Sequence, residues 1–411
     1  MNNFFIKLQN KKIVLASLAY LSLLIGFFYN ENSSGGSEKD FDYTYKFILA
    51  ISENIVGGLN LMIDLNFNHF PLHYLFIGTL LKIFKEIWLV KFIYLNFSLI
   101  IPFALYKCLS ITIKNKNAVF YITLLLFFSP YFRSSAIWTT TDNTGILFFL
   151  LSILYFLKIT ILNQTKTKNF ILLITFLFLA FYTRQYYVLF YFFYIFILFK
   201  KKILSKKVIS IITFFSFILT IPGIYYIYLL RTGKLITDFY SHNFINNLLI
   251  FLSIILFYLI PFLIFSKKNI ISILSLLKDK KLYFILVIII FYFLSKGFDY
   301  DLNPHGGGVF YQGIKKYFEL SFFYLLSPIS LFLIYFFFRS NLIPNILLLI
   351  IIFSSFYFNV IFQKYFDPLL LILFFTLLKS ENIKNKYIMF EKKYIFYYLY
   401  FFLFYILCII K

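Results

Sequence analysis

The chain carries 39 Lys and Arg but only 16 Asp and Glu. Six of those acids, Glu31, Glu38, Asp40, Asp42, Glu53 and Asp64, gather in one polar stretch, residues 30–70, between two apolar spans. A positioned carboxylate can take a proton from a reacting group, so an acid-bearing first loop on a membrane protein marks that face as the one where chemistry occurs. The stretch ends at Asn68-His69-Phe70-Pro71-Leu72-His73-Tyr74. Pro71 sets where the next helix begins, because proline is tolerated in a first helical turn.

Further polar groups punctuate the apolar chain. Ser129-Pro130-Tyr131-Phe132-Arg133 leads to Trp138-Thr139-Thr140-Thr141-Asp142-Asn143-Thr144-Gly145 at the mouth of a span. Asp142 there either caps the helix, where its charge suits the dipole, or takes part in the chemistry. Arg184, in Thr183-Arg184-Gln185, interrupts an apolar hairpin. A charge inside a span costs roughly 2.5–3.5 kcal/mol on insertion scales, so Arg184 should face a partner or a cavity. Later come Asp238-Phe239-Tyr240-Ser241-His242, then Asp299-Tyr300-Asp301-Leu302-Asn303-Pro304-His305, and finally Gln363-Lys364-Tyr365-Phe366-Asp367-Pro368. Gly306-Gly307-Gly308 reads as a turn or flexible lid, not as a phosphate loop.

The elements that must position these groups follow from composition. Hydrophobic residues make up 62%, charged residues 13%, and the mean hydropathy is +0.86. The apolar runs are continuous, not alternating, and about 20 helical residues cross a membrane, so the fold class is an all-α polytopic membrane protein with about 11–14 transmembrane helices. The net charge of +23 sits in short Lys-rich loops at Lys107–Lys116, Lys158–Lys168, Lys200–Lys207, Lys267–Lys281 and Lys379–Lys393. That is the positive-inside pattern of cytoplasmic loops, and no nucleic-acid partner is implied. The opposite side receives 30–70, 133–144, 183–185, 231–246 and 296–318, which hold nearly all the polar groups above. The stretch 71–106 reads as two spans, which leaves its crossing parity open. Residues 1–245 form a first transmembrane module and 246–411 a C-terminal one. Cys108 and Cys408 lie in or beside spans, far apart in sequence, and support neither a disulfide framework nor a zinc site.

An acid in the first external loop, a Pro-Leu-x-Tyr helix start, a Thr-Asp helix mouth and a late basic-Tyr-Phe-x-Pro segment together resemble the GT-C superfamily of polyprenyl-phosphate-sugar-dependent glycosyltransferases. Within it the chain is similar to the dolichyl-phosphate-glucose α-1,2-glucosyltransferase family, which adds the terminal glucose of the N-glycan precursor. Asp42-Tyr43, Ile63-Asp64-Leu65 and Pro71-Leu72-His73-Tyr74 resemble that family's loop-one Asp-Glu, Trp-Asp-Pro and Pro-Gly-Leu-Tyr. Thr183-Arg184-Gln185-Tyr186-Tyr187 resembles its Phe-Arg-Gln-Thr-Asn, Asp238 to His242 its Asp-Arg-Ser-Ser-His, and Lys364-Tyr365-Phe366 its Arg-Tyr-Phe. The order holds across most of the chain. Tyr43 stands where that family has Glu, Asp64 alone remains of Trp-Asp-Pro, and Asn303-Pro304-His305 with three glycines replaces Asp-Asn-Arg-His-Tyr, so the acceptor stays open.

The resemblance implies an inverting transfer of a hexose, with glucose as the family's sugar, from a polyprenyl- or dolichyl-phosphate donor to a lipid-linked or cell-surface glycan. One carboxylate takes the acceptor's proton while cations stabilise the departing lipid phosphate. Asp42 is the expected base and Asp40 the reserve. Asp64, Asp142 and His73 are candidates for orienting the acceptor, with helix capping the alternative for Asp64 and Asp142. Arg184, Gln185, His242 and Lys364 are candidates for the lipid phosphate, Arg184 because its charge is permanent and its contact two-pronged; a buried ion pair is the alternative for Arg184, and snorkelling for Lys364. No cofactor is implied, and a divalent metal stays open. The first span, 13–29, which could pass for a signal peptide, is read as the retained anchor such a family keeps. The expected setting is a bacterial inner membrane or the endoplasmic reticulum membrane, with the site on the non-cytoplasmic face.

The main rival is a polytopic transporter or lipid-linked-oligosaccharide flippase, which would place ionisable residues at the midplane on broken helices with internal repeats. A polymerase- or ligase-like enzyme would carry its large polar loop late in the chain, and a scaffold explains neither the acids nor the motif order. Clustering at one face favours the transferase.

Overall fold

Long apolar runs leave the backbone no polar partner but itself, and the chain answers with helices: among the described residues there is no strand. The computed structural model describes residues 2–67, 69–229, 243–264, 267–300, 306–358 and 360–410, with backbone alone at 2–10, 264, 267–270 and 381–394. Two compact units emerge, Met1–Thr232 with Tyr398–Lys411, and Gly233–Tyr397.

The first unit starts with α1 (Asn2–Phe28), followed by α2 (Ser37–Glu53), α3 (Ile55–Asp64) and α4 (Leu72–Phe84) in and after the acid-bearing stretch. α2 is amphipathic. It buries Phe41, Phe47, Ile48 and Ile51 and exposes Glu38, Asp40 and Asp42, the division expected of a helix with one apolar stripe. The Asn54 side chain accepts from the Val56 N–H at 3.0 Å and so starts α3. α5 (Ile87–Ser98) and α6 (Ile100–Thr112) follow. After them come α7 (Lys116–Leu124), the short α8 (Pro130–Trp138), α9 (Thr141–Thr160), α10 (Thr167–Phe181), α11 (Phe190–Lys200) and α12 (Lys206–Leu229).

Among the described residues, six helices are long and apolar enough to cross a membrane, or seven if the bent pair Lys116–Phe128 and Pro130–Trp138 forms one span. Shorter apolar helices, α3, α4 and α10 among them, fall below that length. The stretch 71–106 therefore holds one long candidate span. α5 and α6 run on as 26 residues, Ile87–Thr112, whereas the 13 residues of α4 rise only about 20 Å against a hydrocarbon core of about 30 Å.

The second unit comprises α13 (Phe244–Ile264), α14 (Lys267–Asp279), α15 (Lys281–Ser295), α16 (Gly308–Tyr317), α17 (Ser321–Phe338), α18 (Leu342–Ser355) and α19 (Leu369–Thr376). Its buried Asp367 accepts from the Tyr258 hydroxyl at 2.8 Å, and Asp299 accepts from Asn243 and Asn246 at 2.7 and 2.6 Å. Gly306, Gly307 and Gly308 have φ of +120°, +81° and +74° and form the turn that opens α16. The C-terminal helix α20 (Glu381–Ile410) gives its last turns, from Tyr398, to the first unit.

Candidate active site

The site is built around α8. Ser129 accepts from the Phe132 N–H at 3.0 Å and Pro130 occupies the first turn, so the helix has a strong start. Eight of its nine residues are buried, and Thr139 ends it in a left-handed conformation with φ 55°. The reversal brings Thr140 and the first turn of α9 back onto Ser135. The Ser135 hydroxyl accepts from the Asn143 N–H at 3.1 Å and contacts the Thr140 hydroxyl at 2.8 Å, while the Asn143 side chain donates to Phe132 O at 3.0 Å.

Asp142 therefore need not close the helix end, since Ser135 satisfies an N–H there. Its carboxylate reaches Arg184, whose Nη2 donates to Asp142 Oδ1 at 2.7 Å. Thr140 Oγ1 donates to the other carboxylate oxygen at 3.3 Å. Arg184 follows the end of α10 in an extended conformation and leads into the 3-10 turn Gln185–Leu189, where Gln185 is half-buried. Tyr187, at the centre of that turn, is buried and stacks on Phe149 of α9 with ring centroids 4.7 Å apart. Such a pair contributes about 0.5–1.5 kcal/mol beyond burial. Gly145 permits the approach, since a Cβ there would stand 3.0 Å from the Tyr187 ring and 3.4 Å from Arg184.

His73, offered by the sequence as a group to orient an acceptor, is 1% exposed and engages the protein with both ring nitrogens. Nε2 lies 3.0 Å from Thr139 O, an acceptor only, so Nε2 carries the hydrogen; Nδ1, 2.9 Å from Thr144 Oγ1, accepts. Tyr94 completes the layer with contacts of 2.8 Å to Thr140 O and 2.9 Å to Thr144 Oγ1. This neutral network pins the Thr139–Thr144 reversal from below.

The two loop-one acids have different neighbours. Two residues along a helix is about 200° of rotation, so Asp40 and Asp42 leave α2 on opposite sides. Asp40, like Asp142 and Arg184, lies within electrostatic range of the buried Tyr74 hydroxyl. Asp42, with Glu38, acts on Lys91 of α5. The Lys91 ammonium lies 3.9 Å from the Phe41 ring centroid and 4.4 Å from that of Trp138. Asp64 is exposed and ends α3, and a carboxylate at a helix C-terminus opposes the dipole, which sets aside its capping alternative.

Lys364 belongs to the second unit, in the 3-10 turn Gln363–Tyr365, with its ammonium over Phe362 and Tyr365 at 5.3 and 5.9 Å. His242, with the rest of Asp238 to His242, lies outside the described residues, as do Asp301 to His305.

Sequence reasoning missed Ser135 and Tyr94, which carry no signal beyond residue type, and quoted Tyr74 only as part of a helix start. It quoted Arg133 and counted Glu31 without pairing them, although the cost argument used for Arg184 applies equally to Arg133.

No curated protein and no solved structure matches the chain. Residues 68–226, which hold His73, Tyr74, Asp142, Arg184 and Gln185, match the family model described as dolichyl-phosphate-mannose-protein mannosyltransferase, and over that stretch the protein is similar to the GT-C membrane glycosyltransferases.

Proposed function

We propose that the protein is a GT-C-type hexosyltransferase that moves a sugar from a polyprenyl- or dolichyl-phosphate donor to a hydroxyl of a lipid-linked or surface glycan, with inversion. The matched family names a mannose donor, and the resembling family a glucose donor; what they share is a hexose on a polyisoprenoid phosphate. The observation that carries the reading is the Asp142–Arg184 pair at the mouth of α9.

In this reading Asp40 takes the acceptor proton as the acceptor oxygen attacks the anomeric carbon. The bond from that carbon to the phosphate oxygen breaks on the opposite face, and the lipid phosphate leaves with the bonding electrons. Arg184 balances its charge. A guanidinium has five N–H donors, more than one carboxylate can take, so Asp142 can orient Arg184 while a phosphate oxygen shares it. Asp42, the base first expected from the sequence, is assigned to Lys91 and the surface of α2. Gln185 accompanies Arg184, and Asp64 remains a candidate for the acceptor.

The same reading places the site on the non-cytoplasmic face. This topology takes α1, α5–α6, α7–α8, α9 and α12 as long spans, the 15-residue α10 and the stretch Gln185–Lys200 as a shorter hairpin that crosses and returns, and α4 as non-crossing, so that Lys107–Lys116, Lys158–Lys168 and Lys200–Lys207 share one side. Asp40, Asp142 and Arg184 then fall on the other, in accord with the positive-inside bias.

Purified protein in lipid nanodiscs, given polyprenyl-phosphate hexoses and a lipid-linked glycan, should release polyprenyl phosphate in step with transfer of the sugar. Movement of intact donor across a sealed vesicle with no release would overturn the transferase in favour of a flippase.

A further inference from the structure

Arg133 sits in α8 with its side chain 3% exposed, facing Glu31, 10% exposed, at the root of the acid-bearing stretch. Its Nε donates to Glu31 Oε1 at 2.9 Å and its Nη2 to Oε2 at 2.5 Å. Nη1 also donates to Ser22 Oγ at 3.0 Å, and Nη2 to Ser22 O at 2.9 Å. Glu31 accepts in addition from Ser33 at 2.8 Å and from the Tyr405 hydroxyl at 2.9 Å. The Tyr405 ring lies 4.8 Å from the guanidinium carbon. Gly26 of α1 makes room, since a Cβ there would stand 2.4 Å from Glu31 Oε2. Trp138 Nε1 donates to Glu31 O at 2.9 Å, and the Ser34 N–H donates to Ser134 Oγ at 2.8 Å.

One end of this cluster thus grips the chain just before α2, which carries Asp40. The other end is α8 itself, whose Ser135 holds the first turn of α9 and therefore Asp142. Apolar side chains of similar volume would hold helices together at least as well as a buried ion pair. What the pair adds is direction, because a planar fork against a carboxylate fixes orientation as well as distance.

We propose that Glu31, Arg133 and Tyr405 are positioning residues that set the spacing between Asp40 and the Asp142–Arg184 pair, so that the C-terminal helix governs transfer at the first loop. The functional part of this inference rests on the transferase reading above; the geometric part does not.

The test compares Glu31→Gln, the double variant Glu31→Gln/Arg133→Met, and Tyr405→Phe in full-length protein in nanodiscs. It reads Tm, backbone hydrogen exchange at Thr139–Thr144, and kcat against KM for release of polyprenyl phosphate. Glu31→Gln should lower Tm by leaving Arg133 uncompensated. The double variant should recover Tm, because no charge is left unpaired, yet keep faster exchange at Thr139–Thr144. Its kcat should stay roughly 10–10²-fold down at unchanged KM, the scale of a misplaced catalytic group. Tyr405→Phe, which keeps the ring and loses only the hydroxyl, should give a smaller loss of kcat at unchanged Tm. Recovery of Tm together with wild-type exchange in the double variant would make the cluster purely structural and overturn the proposal. Exchange is read even in a protein that consumes no donor, so an inert wild type would sink the transferase reading while the positioning is still decided by the exchange data.

Discussion

Arg133 and Arg184 both enter apolar surroundings and both meet a carboxylate, but the two pairs are built differently. Arg133 and Glu31 are 3% and 10% exposed, and the guanidinium grips the carboxylate through both Nε and Nη2 while donating to Ser22 as well. Arg184 and Asp142 are 12% and 19% exposed and are joined through Nη2 and Oδ1 at the open end of α9. A saturated, enclosed fork is suited to fixing helices. A less enclosed one at a helix mouth is suited to sharing its charge with an arriving phosphate.

The sharpest way to break this contrast is to truncate each arginine. Arg184→Ala should abolish donor turnover with little change in Tm, and Arg184→Lys should weaken it, because Lys keeps the charge but loses the two-pronged contact. A folded Arg184→Ala that turns over donor normally removes this residue from the site. Arg133→Ala should instead destabilise the protein by roughly 3–5 kcal/mol through the uncompensated Glu31, read as a fall in Tm. Equal destabilisation by both substitutions would mean the two pairs do the same job.

Next in size is the base. Asp40→Asn should lower transfer by roughly 10²–10⁴-fold, the usual range for a general base, at unchanged Tm because the residue is exposed. Asp42→Asn should cost much less. The reverse ranking would return the base to Asp42 and detach it from the Arg184 neighbourhood.

Acid separates the pairs further. Burial pushes the Glu31 carboxyl up, but Arg133, Ser33 and Tyr405 outweigh it and hold it below its ordinary value of 4.5. Because the folded value is the lower one, the stabilisation is complete above about pH 4.5 and is lost as pH falls through the folded value. Wild-type Tm should therefore fall on acidification more steeply than that of Glu31→Gln/Arg133→Met; parallel curves would show that the pair contributes nothing to the acid limb.

The smallest expected effect is at Lys91, which tests whether Asp42 and Glu38 serve the surface of α2. Lys91→Met should cost about 0.5–2 kcal/mol through its contacts with the Phe41 and Trp138 rings, and Lys91→Arg should recover most of that in Tm. A Lys91→Met variant as stable as wild type would leave those contacts without energetic weight.

Several of these features can be read along the chain. Helical membrane segments follow from run length and composition, the acid-bearing stretch from the scarcity of acids elsewhere, and Arg184 from the cost of a charge in an apolar hairpin. Asp142 could be singled out by its place at a helix mouth, but its partner could not, because Arg184 lies beyond a whole helical hairpin. The choice between Asp40 and Asp42 was equally out of reach. Both acids are exposed on α2, and only the helices packed beside it give its two sides different neighbours.

By itself the sequence determined that this is a helical membrane protein, because its apolar runs are continuous and a backbone in lipid must satisfy its hydrogen bonds within each such segment. It also determined which charged residues must find partners, because leaving a charge unpaired among apolar side chains is costly. Only the tertiary structure decided which partners they find. Glu31 with Arg133 and Tyr405, Asp142 with Arg184, and His73 with Thr139 and Thr144 are contacts across long sequence separations, and the last two also depend on how the chain turns back after α8 at Thr139. That reversal is a property of packed helices, and no local pattern of residue types encodes it.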